Sequence, residues 1–191
     1  MNETIKLGLV LLIITAVAGG VLALSNSFTA PIIAEFEKQE ALGALMEIFP
    51  DAEDVNEIDE ALLEEIKANN KFVIEVNEIL TGGEVVGYSL KTISGGYGGD
   101  IATITGIYLD GNLAGIKVVN NSETPGLGTK IEGEDFTNSF KDKSAENPLV
   151  PVAAPSAENE VQLLSGATIS TNGVLSGVNG AIDAFVNYLS K

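Results

Sequence analysis

The chain has 191 residues, enough for one domain of ordinary size and additional segments. Its 27 acidic residues and 10 lysines give a formal net charge of −17, which repels nucleic acid and excludes it as a partner. Cys and His are absent, which excludes protein-ligated iron–sulfur clusters, typical haem and zinc sites, and Ser–His or Cys–His catalysis. We therefore predict no metal site and no catalytic side chain, so any redox role needs an organic cofactor.

The first predicted element is an apolar segment near the N-terminus. Residues 5–24 read IKLGLVLLIITAVAGGVLAL, in which Lys6 is the only charge. About 20 residues at roughly 1.5 Å each reach about 30 Å, the thickness of a bilayer core. We interpret residues 1–28 as a single-pass transmembrane anchor. A cleaved signal peptide is the alternative, but the apolar run exceeds its usual length. Lys6 near the N-terminal end of the span, with Glu35 and Glu37 after the span, predicts a cytoplasmic N-terminus and an extracytoplasmic main domain at the cytoplasmic membrane.

A helical connector is predicted for residues 29–70. Pro31 suits the first turn of a helix, with Thr29 as its predicted cap, and Pro50 ends that helix. The acidic stretch that follows predicts a second, shorter helix around Glu60–Lys67.

From Lys71 onward the pattern is that of β-strands, and the main domain, residues 71–191, begins here. Gly82-Gly83 and Asp110-Gly111-Asn112 each separate two alternating apolar segments, which predicts two hairpins and a four-stranded antiparallel meander. With the helices predicted around it, the fold class is α+β. Between the hairpins lies the glycine run, residues 95–99, with the sequence GGYGG. No helix follows it, so it is not a phosphate-binding loop, and we interpret it as a flexible bend.

Two short motifs follow the strands. Residues 123–128, ETPGLG, predict a tight turn whose glycines permit close approach of the backbone to a flat or bulky group. Residues 165–168, SGAT, precede an apolar-periodic helix predicted for residues 172–189. Free N–H groups at a helix N-terminus favour an anion such as phosphate. The plainer interpretation is that Ser170 or Thr171 caps the helix, and spacing alone favours it.

The anchor, ETPGLG and SGAT together resemble the FMN-binding subunit shared by the Rnf and Na⁺-NQR respiratory complexes, the RnfG/NqrC family. The resemblance extends over nearly the whole chain. The anchor continues into NSFTAPIIAEFEKQEALGALMEIFP, which is more similar to the Rnf member. The chain departs from the family at two positions: Gln162 stands where Asp is frequent, and Asn121 stands where His is common.

The resemblance implies a covalent cofactor. In the family, a separate flavin transferase joins the phosphate of FMN to the hydroxyl of the last residue of the SGAT motif, which is Thr168 here. The small neighbours Gly166 and Ala167 leave room for the transferase to reach that hydroxyl. The predicted cofactor-binding residues are Thr168, Ser165, Gly166, Ala167 and Ser170, together with Glu123, Thr124, Leu127 and Gly128 of the other motif.

The implied function is that of a membrane-anchored, covalent-FMN electron carrier subunit of an Rnf-type ion-translocating ferredoxin:NAD oxidoreductase complex. Such a subunit is not catalytic on its own, and its partners are the other subunits of the complex and the flavin transferase. Whether Na⁺ or H⁺ is the coupling ion stays open. The alternatives are a protein similar to NqrC of the Na⁺-NQR complex, a stand-alone extracytoplasmic flavin domain that feeds a reductase, and a non-redox anchored surface protein.

Overall fold

The computed structural model of the chain describes residues 3–190. The predicted ranges 1–28 and 71–191 include residues 1, 2 and 191, which lie outside the described residues. Contacts divide the chain into two units, one that ends at Glu40 and one that begins at Ala41. The predicted boundaries at residues 28 and 70 stay predictions.

Helix α1, Glu3–Ile48, contains the apolar segment. Within the described residues, Ile5–Ala30 is the single helical stretch long and apolar enough to cross a membrane. Its large apolar side chains are exposed in the isolated chain, which is consistent with a membrane anchor. The predicted helix start at residue 31 is wrong, because the helix is continuous there. The hydroxyl of Thr29 donates to the Ser25 carbonyl at 3.1 Å instead of capping a new helix.

Five antiparallel strands form one sheet in chain order, β1 to β5. The predicted four-stranded meander is confirmed as β2 to β5, and so is the α+β class. Both turn residues of the first hairpin, Gly82 and Gly83, have positive φ (61° and 80°), which explains the glycine pair. The sequence did not predict β1, because its four residues, DVNE, carry one apolar side chain and no alternation. The strands are Asp54–Glu57, Val73–Thr81, Glu84–Gly95, Asp100–Tyr108 and Leu113–Asn120.

The remaining elements surround this sheet. The predicted short helix is confirmed as α2, which begins after its cap Asp59, whose carboxylate accepts from the backbone N–H groups of Ala61 and Leu62. The short parallel strands β6 and β7 pair with each other before the last helix. Helix α4 continues into one π-helical turn, Phe185–Leu189. The element bounds are Glu60–Asn69 for α2, Glu134–Thr137 for α3, Val150–Val152 for β6, Glu160–Gln162 for β7 and Thr168–Ala184 for α4.

Helix α4 approaches one face of the sheet through a stripe of glycines. Gly173, Gly177 and Gly180 are spaced four and three residues apart, so they share one side of the helix. A Cβ on Gly173 would lie 2.7 Å from the carbonyl oxygen of Gly95, and one on Gly177 would lie 2.7 Å from Oγ1 of Thr92. Because neither distance leaves room for a side chain, the glycines set how closely α4 lies on β3.

The end of α1 covers part of the other face of the sheet. Leu45, Ile48 and Phe49 are buried there in a cluster that includes Ile79 of β2. Gly106 of β4 makes space for the aromatic ring, since a Cβ at that position would lie 2.6 Å from Cε2 of Phe49. The last turn of α1 is therefore part of the core of the second unit.

Candidate functional site

The two predicted motifs meet at one cavity of about 530 Å³ at the N-terminus of α4. Eight of the nine predicted site residues line this cavity, and the exposed Ser165 does not. Two lining residues were not predicted. Ile169 lies between two predicted residues, and Tyr97 lies in the glycine run that we interpreted as a flexible bend. The lining residues are Tyr97, Glu123, Thr124, Leu127, Gly128, Gly166, Ala167, Thr168, Ile169 and Ser170.

Helix α4 begins at Thr168, four residues before the predicted start at Asn172, and its N-cap is Ala167. Alanine offers no side-chain acceptor, so no side chain caps the helix. Within the described residues, the backbone N–H groups of Thr168, Ile169 and Ser170 have no hydrogen-bond acceptor. The side chain of Thr168 is exposed and lines the cavity. An exposed hydroxyl therefore stands beside free N–H groups, an arrangement that favours a phosphate.

The predicted capping role of Ser170 and Thr171 is wrong, because both residues lie inside the first turn of α4. The Thr171 hydroxyl donates to the Ala167 carbonyl at 2.9 Å and accepts from the backbone N–H of Leu164 at 3.3 Å. The Ser170 hydroxyl donates to the Glu123 carboxylate. Both hydroxyls therefore form hydrogen bonds with other protein groups, and neither caps the free N–H groups at the start of α4.

The motif at residues 123–128 forms the predicted tight turn. The carbonyl of Thr124 accepts from the backbone N–H groups of Leu127 at 3.1 Å and of Gly128 at 2.9 Å. Gly126 has a φ of 73°, a conformation that glycine adopts readily. The turn leaves Leu127 44% exposed at the cavity.

Gly166 brings the two motifs into direct contact. Its φ of 79° lies in the left-handed region, and a Cβ there would lie 3.0 Å from Cδ1 of Leu127. A residue with a side chain would therefore be strained at this position and would also press on Leu127. The glycine of the SGAT motif is explained by this contact.

Glu123 is a buried carboxylate that connects three segments around the cavity, and only 5% of its surface is exposed. It accepts from the backbone N–H of Gly98 at 2.9 Å and from the Ser170 hydroxyl. Asn121, where the family commonly has His, accepts from the backbone N–H of Glu123 at 3.0 Å. Burial acts to raise the pKa of Glu123, but the hydrogen bonds from Ser170, Gly98 and Tyr97 outweigh it and hold the pKa below its usual value. The carboxylate is therefore charged at neutral pH.

This lowered pKa predicts a stability difference that depends on pH. An unfolded glutamate, with a pKa of about 4.3, takes up its proton at a higher pH than folded Glu123 does. The contribution of Glu123 to the free energy of unfolding is therefore full above the unfolded pKa and is lost as the pH falls through the folded pKa. We expect wild type to be more stable than Glu123→Gln at neutral pH, by a margin that shrinks in acid.

Urea titrations of both proteins at neutral pH and at about pH 4 measure this margin. The net charge of −17 influences both proteins almost equally, so the difference between them isolates Glu123. A margin that is constant with pH would contradict the assignment.

A second groove, of about 600 Å³, lies between α2 and α4. It is lined by Lys67, Lys71, Asn70 and Asp183 among others, and it contains none of the predicted site residues. Buried Asn70 spans its floor, since its amide donates to the Gly180 carbonyl at 2.8 Å and to the Asp183 carboxylate at 3.1 Å. Within residues 3–190, no group of three or more Asp or Glu side chains is placed to hold a metal ion. The cavity at α4 is thus where the predicted chemistry converges.

The cavity suits a flavin nucleotide. Its volume lies within the range of about 300–1,000 Å³ that is typical of cofactor sites. Its lining combines the polar start of α4 with the apolar side chains of Leu127 and Ile169, and it includes no lysine. A phosphate would be held by backbone N–H groups, and the ring would contact apolar surface.

The chain is similar to several known proteins. Residues 96–183 match the FMN-binding domain family. The chain is 40% identical to the G subunit of the Na⁺-translocating ferredoxin:NAD⁺ oxidoreductase complex of Acetobacterium woodii, with 97% of this chain and 93% of that protein covered. It is 33% identical to the G subunit of the proton-translocating ferredoxin:NAD⁺ oxidoreductase complex of Clostridium ljungdahlii, over 56% of this chain and 57% of that protein.

The fold is also similar to a solved structure, that of NqrC from Shewanella oneidensis. The TM-score is 0.52 at 16% identity, over 73% of this chain and 70% of that one. The sequence match to the Acetobacterium protein extends over almost the full length of both chains. The FMN-binding domain match, residues 96–183, contains both the ETPGLG and the SGAT motifs. The chain therefore belongs to the RnfG/NqrC family, as an RnfG-type member that carries an FMN-binding domain.

Proposed function

We propose that the chain is the membrane-anchored electron carrier subunit of an Rnf-type ion-translocating ferredoxin:NAD oxidoreductase complex, with FMN joined to Thr168 by a phosphoester. One observation carries the proposal. The Thr168 hydroxyl is exposed at the uncapped N-terminus of α4, in a cavity shared with the ETPGLG turn. Bound FMN supplies one- and two-electron transfer, and the protein tethers and orients it.

Different residues of the cavity would contact the phosphate and the ring of FMN. The first-turn N–H groups of α4 would donate hydrogen bonds to the negatively charged phosphate, so no arginine or lysine is needed. Leu127 and Ile169, which are 44% and 53% exposed, offer apolar surface to the ring. In the loading reaction, the Thr168 hydroxyl gives its proton to a base of the transferase, and its oxygen forms a P–O bond to the FMN phosphate of FAD while the pyrophosphate bond breaks and AMP leaves. The flavin transferase supplies the catalytic groups for that step.

The proposal includes the topology. Residues 1–28 anchor the chain in the cytoplasmic membrane, with the N-terminus in the cytoplasm. Residues 29–70 are a helical connector between this anchor and the extracytoplasmic FMN-binding domain, residues 71–191. The exposed apolar stretch Ile5–Ala30, with Lys6 at its N-terminal end, supports this orientation. The other partners are the remaining subunits of the complex.

The test compares two substitutions of Thr168 in the full chain, co-expressed with a flavin transferase. We expect wild type and Thr168→Ser to gain the mass of one FMN less one water, because both present a hydroxyl. Thr168→Val keeps the shape of threonine without the hydroxyl, and we expect no added mass. Intact-mass spectrometry measures all three proteins. An unmodified wild type, or a modified valine variant, would refute the attachment at Thr168.

A further inference from the structure

The glycine run, residues 95–99, contributes one residue, Tyr97, to the lining of the cavity, and the sequence did not predict this contribution. Its one side chain, Tyr97, contributes an aromatic ring to the lining of the cavity. Tyr97 is 71% exposed, and within residues 41–190 every other aromatic side chain is at least partly buried. An exposed aromatic side chain that lines a cavity offers apolar surface to a bound group.

The run is held in place by packing, which explains its glycines. A Cβ on Gly96 would collide with Oε1 of Glu123 and would lie 2.6 Å from Cδ1 of Ile101. A Cβ on Gly98 would collide with the carbonyl oxygen of Ser122. Gly96 also donates its N–H to the Gly99 carbonyl at 2.7 Å, which closes the bend. The missing side chains thus allow close contact with residues 122 and 123.

The Glu123 carboxylate holds the glycine run through a hydrogen bond. One carboxylate oxygen accepts from the Gly98 N–H at 2.9 Å, and the other accepts from the Ser170 hydroxyl. The carboxylate also packs against Gly128 of the ETPGLG turn, where a Cβ would lie 2.6 Å from Oε2 of Glu123. One buried charged group therefore ties the run, the ETPGLG turn and the first turn of α4 together, and charge-assisted hydrogen bonds of this kind are the stronger ones.

We propose that the glycine run is the third wall of the flavin cavity, with Tyr97 as the side chain that contacts the flavin ring and Glu123 as the positioning residue that holds the run. This inference rests on the proposed function, since it needs FMN in the cavity. Tyr97 contributes a flat face suited to offset stacking on a flavin. Glu123 acts through the backbone of the run and does not need to touch the cofactor.

The first experiment measures the positioning role in the full chain without flavin. Amide hydrogen exchange is compared for wild type, Glu123→Ala and Glu123→Gln, with the Ile104 amide of β4 as an internal reference for folding. We expect the Gly98 amide to exchange about tenfold faster in Glu123→Ala than in wild type, because its acceptor is gone. Glu123→Gln keeps an acceptor oxygen of the same shape and should retain protection. Equal exchange in wild type and Glu123→Ala overturns the positioning role.

The second experiment measures the contact of Tyr97 in the FMN-loaded full chain. A tyrosine or tryptophan ring stacked on a flavin quenches its fluorescence by electron transfer, whereas leucine does not. We expect Tyr97→Leu to raise the flavin emission per loaded chain severalfold, with loading counted by intact mass, and Tyr97→Trp to keep it low. Loaded Glu123→Ala should also emit more, since the ring is no longer held.

The outcomes separate this inference from the proposed function. Loaded wild type and loaded Tyr97→Leu with the same emission would overturn the contact and leave the attachment at Thr168 intact. Wild type that carries no FMN mass would overturn the proposed function and, with it, the contact. The exchange experiment on the flavin-free chain decides the role of Glu123 in either case.

Discussion

A chain that begins at residue 41 is expected to fold, and one that begins at residue 51 is expected to lose most of its stability. The two chains differ by the end of α1 and the residues just after it, where Leu45, Ile48 and Phe49 are no more than 6% exposed. Burying each of these side chains contributes about 1.5–3 kcal/mol, so together the three contribute roughly 4.5–9 kcal/mol. A domain of this size is stable by about 5–15 kcal/mol in total, so the loss is a large share.

Urea unfolding followed by circular dichroism measures both chains. The matched control is Met46→Ala in the chain that begins at residue 41. Met46 lies in the same turn but is 71% exposed, so its loss should change the free energy of unfolding by less than about 0.5 kcal/mol. Equal stability of the two truncated chains would show that the end of α1 is dispensable. The expected result instead places the start of the minimal folding unit before residue 71.

Replacing Gly177 by valine is expected to destabilise the domain by about 3 kcal/mol or more, the upper range for overpacking a core. The new Cβ would lie 2.7 Å from Oγ1 of Thr92 and 3.4 Å from Oγ of Ser94. The gain in helix propensity over glycine is only about 0.5 kcal/mol, too small to offset the clash. Helix α4 must therefore move away from β3, which also shifts Thr168 at its start.

The matched control is Ser176→Val, on the same helix. Ser176 is exposed, and its hydroxyl donates to the Asn172 carbonyl one turn earlier at 2.8 Å, so the valine side chain is accommodated at the surface of the helix. We expect its effect to stay within about 0.5 kcal/mol. Thermal unfolding of both variants and the mass gain after co-expression with the transferase are the measurements. A Gly177→Val protein as stable as wild type would refute the close packing of α4 on β3.

Local patterns in the sequence predicted much of the fold. The glycine pair at residues 82–83 between two alternating segments predicted the first hairpin, and an apolar stripe predicted the last helix, because both signals lie within a few residues of the structure they form. The predicted site residues also converge, since short motifs mark both sides of the cavity. These features need no knowledge of distant contacts.

The features that the sequence did not predict depend on distant contacts. Ser170 lies 47 residues from Glu123 along the chain, and no local pattern indicates that its hydroxyl bonds there instead of capping α4. The frequent glycines in the run at residues 95–99 suggested flexibility. In the structure Gly96 and Gly98 are packed so closely against residues 122 and 123 that a Cβ at either position would clash. Strand β1 exists through its pairing with β2, not through its own composition.

The uncapped start of α4 has a consequence for how cofactor occupancy responds to supply. Backbone N–H groups alone would hold the phosphate of FMN reversibly, and a reversible complex would empty whenever free FMN became scarce. With the proposed ester at Thr168, the population of loaded chains depends instead on how many have met the transferase since synthesis. Occupancy is then a record of maturation, independent of the FMN concentration around the finished protein.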